Sequence, residues 1–203
     1  MADYRSLGAS ARRQEPGADD PDAPLVRRVA EGEARAANLL VERHAGRVLS
    51  LARRMLGNDA DAEDVTQELF LRVWQHAARW QPGRARFETW MHRVTLNLCY
   101  DRLRRRREIV VDKMPDLPDP APSVVGQQHR EETVRRVQAE LSKLPDRQRA
   151  AIVLCHHEEM SNIEAAQVLQ VSVEALESLL ARGRRALKAA LSADANELLA
   201  SIE

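Results

Sequence analysis

Aromatic residues make up only 3% of this 203-residue chain, and there are just 8 glycines. That poverty argues against a β-sandwich or barrel, whose strands and turns draw on both. Only two cysteines occur, Cys99 and Cys155, far apart in the sequence. They exclude a disulfide scaffold and fit a reducing compartment. No run approaches the roughly 18 apolar residues that span a bilayer, and the amino terminus has no apolar signal segment. The expectation is a cytoplasmic protein without membrane insertion. Net charge is absent too, since 31 Lys/Arg balance 31 Asp/Glu.

That balance hides an asymmetry. Residues 24–107 hold 17 Arg/Lys against 10 Asp/Glu, whereas 131–191 are neutral and the remaining segments are acidic. A polyanionic partner therefore suits the first half of the chain. What is abundant is Ala, Leu, Arg and Glu, a helix-forming mixture. The expected fold class is all-α, with two small helical domains joined by a flexible linker.

Apolar spacing divides the chain. Residues 1–23 have no period and read as a disordered tail. Helical spacing begins at Leu25 and Val29 and continues through Leu40, Val41, Val48, Leu51 and Met55. Gly57-Asn58 stops that helix, and Asp59 or Asp61 is placed to cap the next. Val65, Leu69 and Val73 form the buried side of this second helix, which Gln81-Pro82-Gly83 ends. A long helix is expected over 87–106, with Phe87, Trp90, Met91, Val94 and Leu98 as its apolar stripe. The first domain is thus 24–107. Prolines 115, 118, 120 and 122 among aspartates mark 108–130 as an acidic linker. The second domain spans 131–191, and 192–203 is an acidic tail.

Within the second domain, Ser161-Asn162-Ile163-Glu164 is a capping box. A short helix to Leu169, a turn at Gln170-Val171 and a longer helix capped by Ser172 make a helix-turn-helix, whose second helix enters the DNA major groove. Its expected buried positions are Ile163, Ala166, Leu169, Val171, Leu176 and Leu180. Gln170 stands where glycine is common, so a left-handed backbone there is strained. Arg147 and Arg149 are candidate phosphate contacts, and Arg182, Arg184, Arg185 and Lys188 form a basic end to the recognition helix. Glu158, Glu159, Glu174 and Glu177 oppose them.

In the first domain, Arg93, Asn97, Tyr100, Asp101 and Arg104 recur at three and four residues and form a polar stripe on the long helix. Asn pairs with a base edge, and aromatics stack on unpaired bases. Arg84 and Arg86 add phosphate anchors, and Phe87 and Trp90 are candidates for stacking or for the core. Five arginines in the six positions 102–107 exceed what a solvated helix end needs. The preceding helix carries Asp61, Glu63, Asp64, Gln67 and Glu68 near its start, an acidic surface for a basic protein partner.

DAEDVTQELFLRVW (61–74), FETWMHRVTLNLCYDRLRRR (87–106) and the helix-turn-helix after LPDRQR (144–149) together resemble the extracytoplasmic-function (ECF) sigma factors of bacterial RNA polymerase, of the sigma-70 superfamily. The likeness covers roughly residues 25–191. It implies a region 2 that docks on the β′ clamp helices through Asp61, Asp64, Gln67, Glu68, Phe70 and Trp74. It implies melting and reading of the −10 element by Arg84, Arg86, Phe87, Trp90, Arg93, Asn97, Tyr100, Asp101, Arg104 and Arg105. A region 4, which would also meet the β flap, would read the −35 element through Arg147, Arg149, Ser172, Glu174, Ser178, Leu179, Arg182 and Arg185. Glu177 and Leu179 depart from the family, where a basic residue and an arginine are usual. An anti-sigma factor is the implied regulator, and neither catalysis nor a cofactor is implied.

Two other readings compete. A free-standing helix-turn-helix regulator would bind duplex DNA without polymerase. Cys155-His156-His157 suggests a metal, but adjacent ligands lacking a distant pair do not have zinc spacing.

Overall fold

The computed structural model describes residues 20–81, 86–112 and 128–200, with side chains omitted for 110–112, 128–133 and 193–200. Eight α-helices account for nearly all of these residues: α1 (Ala23–Ala30), α2 (Ala34–Leu56), α3 (Asp59–His76), α4 (Phe87–Asp112), α5 (Gln128–Lys143), α6 (Asp146–His156), α7 (Asn162–Leu169) and α8 (Val173–Ala200). No helix among them is long and apolar enough to cross a membrane.

In the first module α2, α3 and α4 pack on one another, with α1 laid against α2. Leu40, Val48, Leu51, Met55, Val65, Leu69, Phe87 and Met91 are its fully buried centre. Truncating one such leucine to alanine typically costs about 2–5 kcal/mol. Gly57 closes α2 in the left-handed conformation, φ 64°, and its N–H bonds to Arg53 O at 2.8 Å. Asn58, rather than Asp59 or Asp61, caps α3, its Oδ1 accepting from Asp61 N at 2.9 Å. Asn58 is extended, as a cap residue must be, whereas the two aspartates already lie within the helix.

The second module joins α5, α6, α7 and α8. The capping box is complete: Ser161 Oγ accepts from Glu164 N, and Ser161 N donates to Glu164 Oε2. Gln170 is left-handed at φ 54°, and Ser172 Oγ accepts from Ala175 N at 3.2 Å. Ile163 is the exception to the expected core, at 64% exposure. α7 presents Ala165, Ala166, Val168 and Leu169 to its neighbours instead. Gly183 lets α8 approach α6, since a Cβ there would meet Ile152 Cδ1 at 2.7 Å.

Three expected boundaries move. α4 runs on to Asp112 and α8 to Ala200, so neither ends where the charge pattern changes. Asp20 and Asp22, expected in a disordered tail, are buried. The Pro82-Gly83 turn, Arg84 and the proline-rich stretch lie outside the described residues.

Candidate nucleic-acid and polymerase interface

The two modules pack against each other. Gln138 Nε2 of α5 donates to Arg54 O at 3.0 Å, and Arg149 Nη1 of α6 donates to Met55 O at 2.5 Å. Both thereby occupy the open carbonyls at the carboxyl end of α2. Arg107 pairs with Asp146, and Arg86 lies 3.9 Å from Glu164. His92 and Glu158 face each other across the same junction, Nε2 to Oε2 3.8 Å, with both side chains buried.

The polar stripe of α4 faces this junction. Arg93, Asn97 and Tyr100 share a cavity of about 360 Å³ with Asp146, Arg147, Leu169 and Gln170. Asn97 is exposed, while the Tyr100 hydroxyl is buried with no hydrogen-bond partner among the described residues, and burial pushes it up to about 12. Beside it opens a cleft of about 670 Å³ lined by His76, Arg79, Trp80, Gln81, Thr89, Trp90, Arg93 and Gln167. Its indoles and guanidiniums are the groups that stack on bases and pair with phosphates. Phe87 belongs to the core at 1% exposure, with Trp90 stacked on it at 5.6 Å and Trp80 edge-on at 5.7 Å. It supports the cleft from beneath.

The arginine run is largely committed within the protein. Arg102 reaches Asp64 at 3.0 Å and Asp61 at 3.3 Å, and Arg106 binds Asp61 and Leu56 O. Arg104 pairs with Asp101 at 3.1 Å, whereas the neighbouring Arg105 is exposed. The same pairs draw Asp61 inward and tie α3 to α4, while Asp64 stays outward. Glu68 is half-exposed and bonded to Arg72. Phe70 is buried against Trp74, which is partly covered, so Phe70 serves the core instead of offering its ring to a partner.

On α3 the outward row is Asp64, Gln67 and Leu71. Leu71, at 57% exposure, was missed by sequence reasoning. Its signal is the run of three adjacent apolar residues Leu69, Phe70 and Leu71, which a single helix face cannot bury together.

Arg149 needs a correction. It is 4% exposed and cannot meet phosphate, for its guanidinium donates to the carbonyls of Met55, Leu141, Ser142 and Leu144. Burial pushes it below its ordinary value, with Asp146 acting in the opposite sense. Arg147 is exposed and bonds Leu169 O at 3.1 Å, bracing the helix-turn-helix. On α8, Ser178, Arg182 and Arg185 are exposed with Ser172, Glu174 and Glu177, and Leu179 is half-buried. Cys155-His156-His157 forms no metal cluster among the described residues. Arg184 Nε instead donates to His156 Nε2 at 3.0 Å.

Asp22 binds His44 at 2.9 Å and also pairs with Arg43. Burial alone would raise its carboxyl, but His44 and Arg43 together hold it below its ordinary 3.8. A carboxylate with a depressed folded value stabilises the fold above its unfolded value, and that contribution is lost as pH falls through the folded one. Melting temperature should therefore fall on acidification below about pH 4 more steeply in wild type than in Asp22→Asn, as thermal unfolding at stepped pH will check.

The sequence model for sigma-70 region 2 matches residues 40–109, and that for sigma-70 region 4 matches 135–187. SigW, an ECF RNA polymerase sigma factor of Bacillus subtilis, is 31% identical over 80% of this chain and 92% of its own. SigE of Mycolicibacterium smegmatis is 40% identical over 78% of this chain, which spans 62% of SigE's length. The solved structure of CnrH in complex with the cytosolic domain of CnrY superimposes with a TM-score of 0.64, at 34% identity, over 86% of this chain and 99% of that one. With both sigma-70 regions in order and SigW matched over 92% of its length, the chain belongs to the ECF sigma factors of RNA polymerase.

Proposed function

We propose that this sigma factor directs core RNA polymerase to promoters by reading the −10 element with α4 and its cleft and the −35 element with α8. The observation that carries this is the exposed Asn97 beside the Trp80–Trp90–Arg93 cleft. Stacking platforms, a bidentate amide and nearby cations are what capture of an unpaired base requires, and binding that base offsets the cost of unstacking it. Arg93, Tyr100, Asp101, Arg104 and Arg105 complete the stripe, with Arg86 at its amino end. The protein acts by recognition, without a catalytic residue of its own.

Asp64, Gln67 and Leu71 form the docking row for the β′ clamp helices, and region 4 meets the β flap. The −35 duplex would lie along Ser172, Ser178, Leu179, Arg182 and Arg185, with Arg147 at the phosphates. Core polymerase holds both modules at promoter spacing, turning two weak contacts into a tight one. CnrH is solved with the cytosolic domain of CnrY. An anti-sigma factor is accordingly the partner proposed for this chain when polymerase is absent. A free-standing regulator would have no use for region 2.

Run-off transcription with core polymerase tests the reading: initiation should require this protein. If it shifts duplex DNA but supports no initiation on any promoter, the reading is wrong. Asn97→Ala should reduce discrimination between matched and mismatched −10 bases about tenfold while leaving polymerase affinity intact. Equal loss of both would remove Asn97 from its role.

A further inference from the structure

Among the described residues, no neighbouring side chain accepts from the first N–H groups of helix α4. Arg86 occupies its amino-terminal cap position, with Trp90 N bonded to Arg86 O at 3.1 Å, and an arginine side chain has only donors. The Arg86 guanidinium instead approaches Glu164. The open N–H of Phe87 is met from 67 residues away, where Asp20 Oδ2 accepts it at 2.5 Å. Asp20 is 7% exposed, and its other oxygen accepts from Asp22 N at 2.9 Å. Asp22 in turn holds His44, whose ring lies edge-on to Phe87 at 6.1 Å. One acidic pair therefore grips the first residue of α4 by its backbone and, through His44, by its ring. A carboxylate at that helix end is also favoured by the helix dipole.

We propose that Asp20 is a positioning residue for −10 recognition. It fixes the start of α4, and with it the stack of Trp80 and Trp90 on Phe87 and the rotation of Arg93 and Asn97 on the turns beyond. The inference rests on the −10 reading of that stripe. Nothing in the local sequence of α4 supplies the same restraint. An asparagine would be a poor substitute, because the amide nitrogen replacing one carboxylate oxygen is a donor and would face one of the two N–H groups.

Two measurements on the full chain test this. Hydrogen exchange in the free protein should show Phe87 N–H exchanging about fivefold faster or more in Asp20→Ala, and faster by less in Asp20→Asn, which keeps the side chain's size. With the holoenzyme, the ratio of transcription from matched to mismatched −10 elements should fall about threefold to tenfold in Asp20→Ala. Polymerase affinity and the corresponding −35 ratio should hold. Faster exchange with an unchanged −10 ratio overturns the proposal, leaving Asp20 as a brace of the fold. Equal loss of −10 ratio, −35 ratio and polymerase affinity overturns it as well. Should Asp20→Ala fail to fold, Asp20→Asn decides by the same ratios. If wild-type holoenzyme shows no −10 preference at all, the promoter reading falls and this proposal with it, whatever the exchange data show.

Discussion

Replacing Arg149 with alanine will lower the unfolding free energy by about 2–4 kcal/mol, because several buried carbonyls lose a charged donor at once. The carbonyls of Met55, Leu141, Ser142 and Leu144 all accept from this one guanidinium, and of these Leu141 O also accepts from Leu144 N at 3.2 Å. Water cannot replace it, because the side chain is almost wholly enclosed. Small domains are stable by only about 5–15 kcal/mol, so the variant should sit near the folding threshold. Lysine at this position should recover less than half of the loss, since one ammonium cannot span the fork of acceptors that a planar guanidinium reaches. Denaturant titration followed by circular dichroism measures both. A loss under about 1 kcal/mol for Arg149→Ala would show that the network contributes little.

A second large effect is expected at the junction of the modules. Gln138→Glu turns the Nε2 donor facing Arg53 O and Arg54 O into a carboxylate against two carbonyls, at the negative end of a helix dipole. Two hydrogen bonds are lost and a repulsion is added, together about 2 kcal/mol, which is roughly 30-fold in the ratio of separated to packed modules. Separation uncovers the stripe on α4 that now shares a cavity with Asp146, Arg147, Leu169 and Gln170. The variant should therefore show a larger radius by small-angle scattering and bind a single-stranded −10 oligonucleotide more tightly than wild type. Gln138 is on α5, away from that stripe, so tighter binding would come from the release of the surface. An expanded variant with unchanged oligonucleotide affinity would mean that packing of the modules does not hinder DNA.

Much of this fold could be read from spacing. Val65, Leu69 and Val73 are buried as their period of four implies, and the Ser161–Glu164 box and the cap at Ser172 formed from purely local rules. Ile163 shows where such rules end: its apolar character suggested burial, but α7 packs through Ala165, Ala166, Val168 and Leu169 and leaves it outside. Arg149 shows a second limit. Nothing in Pro145-Asp146-Arg147-Gln148-Arg149 tells which arginine faces water, because that depends on Met55, in the last turn of α2 and 94 residues earlier. Asp20 is the third case, a long-range cap within a segment whose composition suggested disorder. The arginine run looked like a DNA surface, whereas Arg102 and Arg106 answer the acids of α3. Local chemistry was legible; the pairing of distant charges was not.

If α8 reads the −35 element as proposed, Gly183 limits where its sequence preference can change. With Ile152 Cδ1 at 2.7 Å from any added Cβ, this position on α8 takes a larger residue only if the buried Ile152 side chain shifts. Leu176 and Leu180 are shut in the same way by burial. Ser178, Arg182 and Arg185, spaced by four and three, carry no such load. A lineage could rewrite those three side chains, and so acquire new target genes, without disturbing a single buried contact. Innovation in binding and conservation of architecture would then run along opposite faces of one helix.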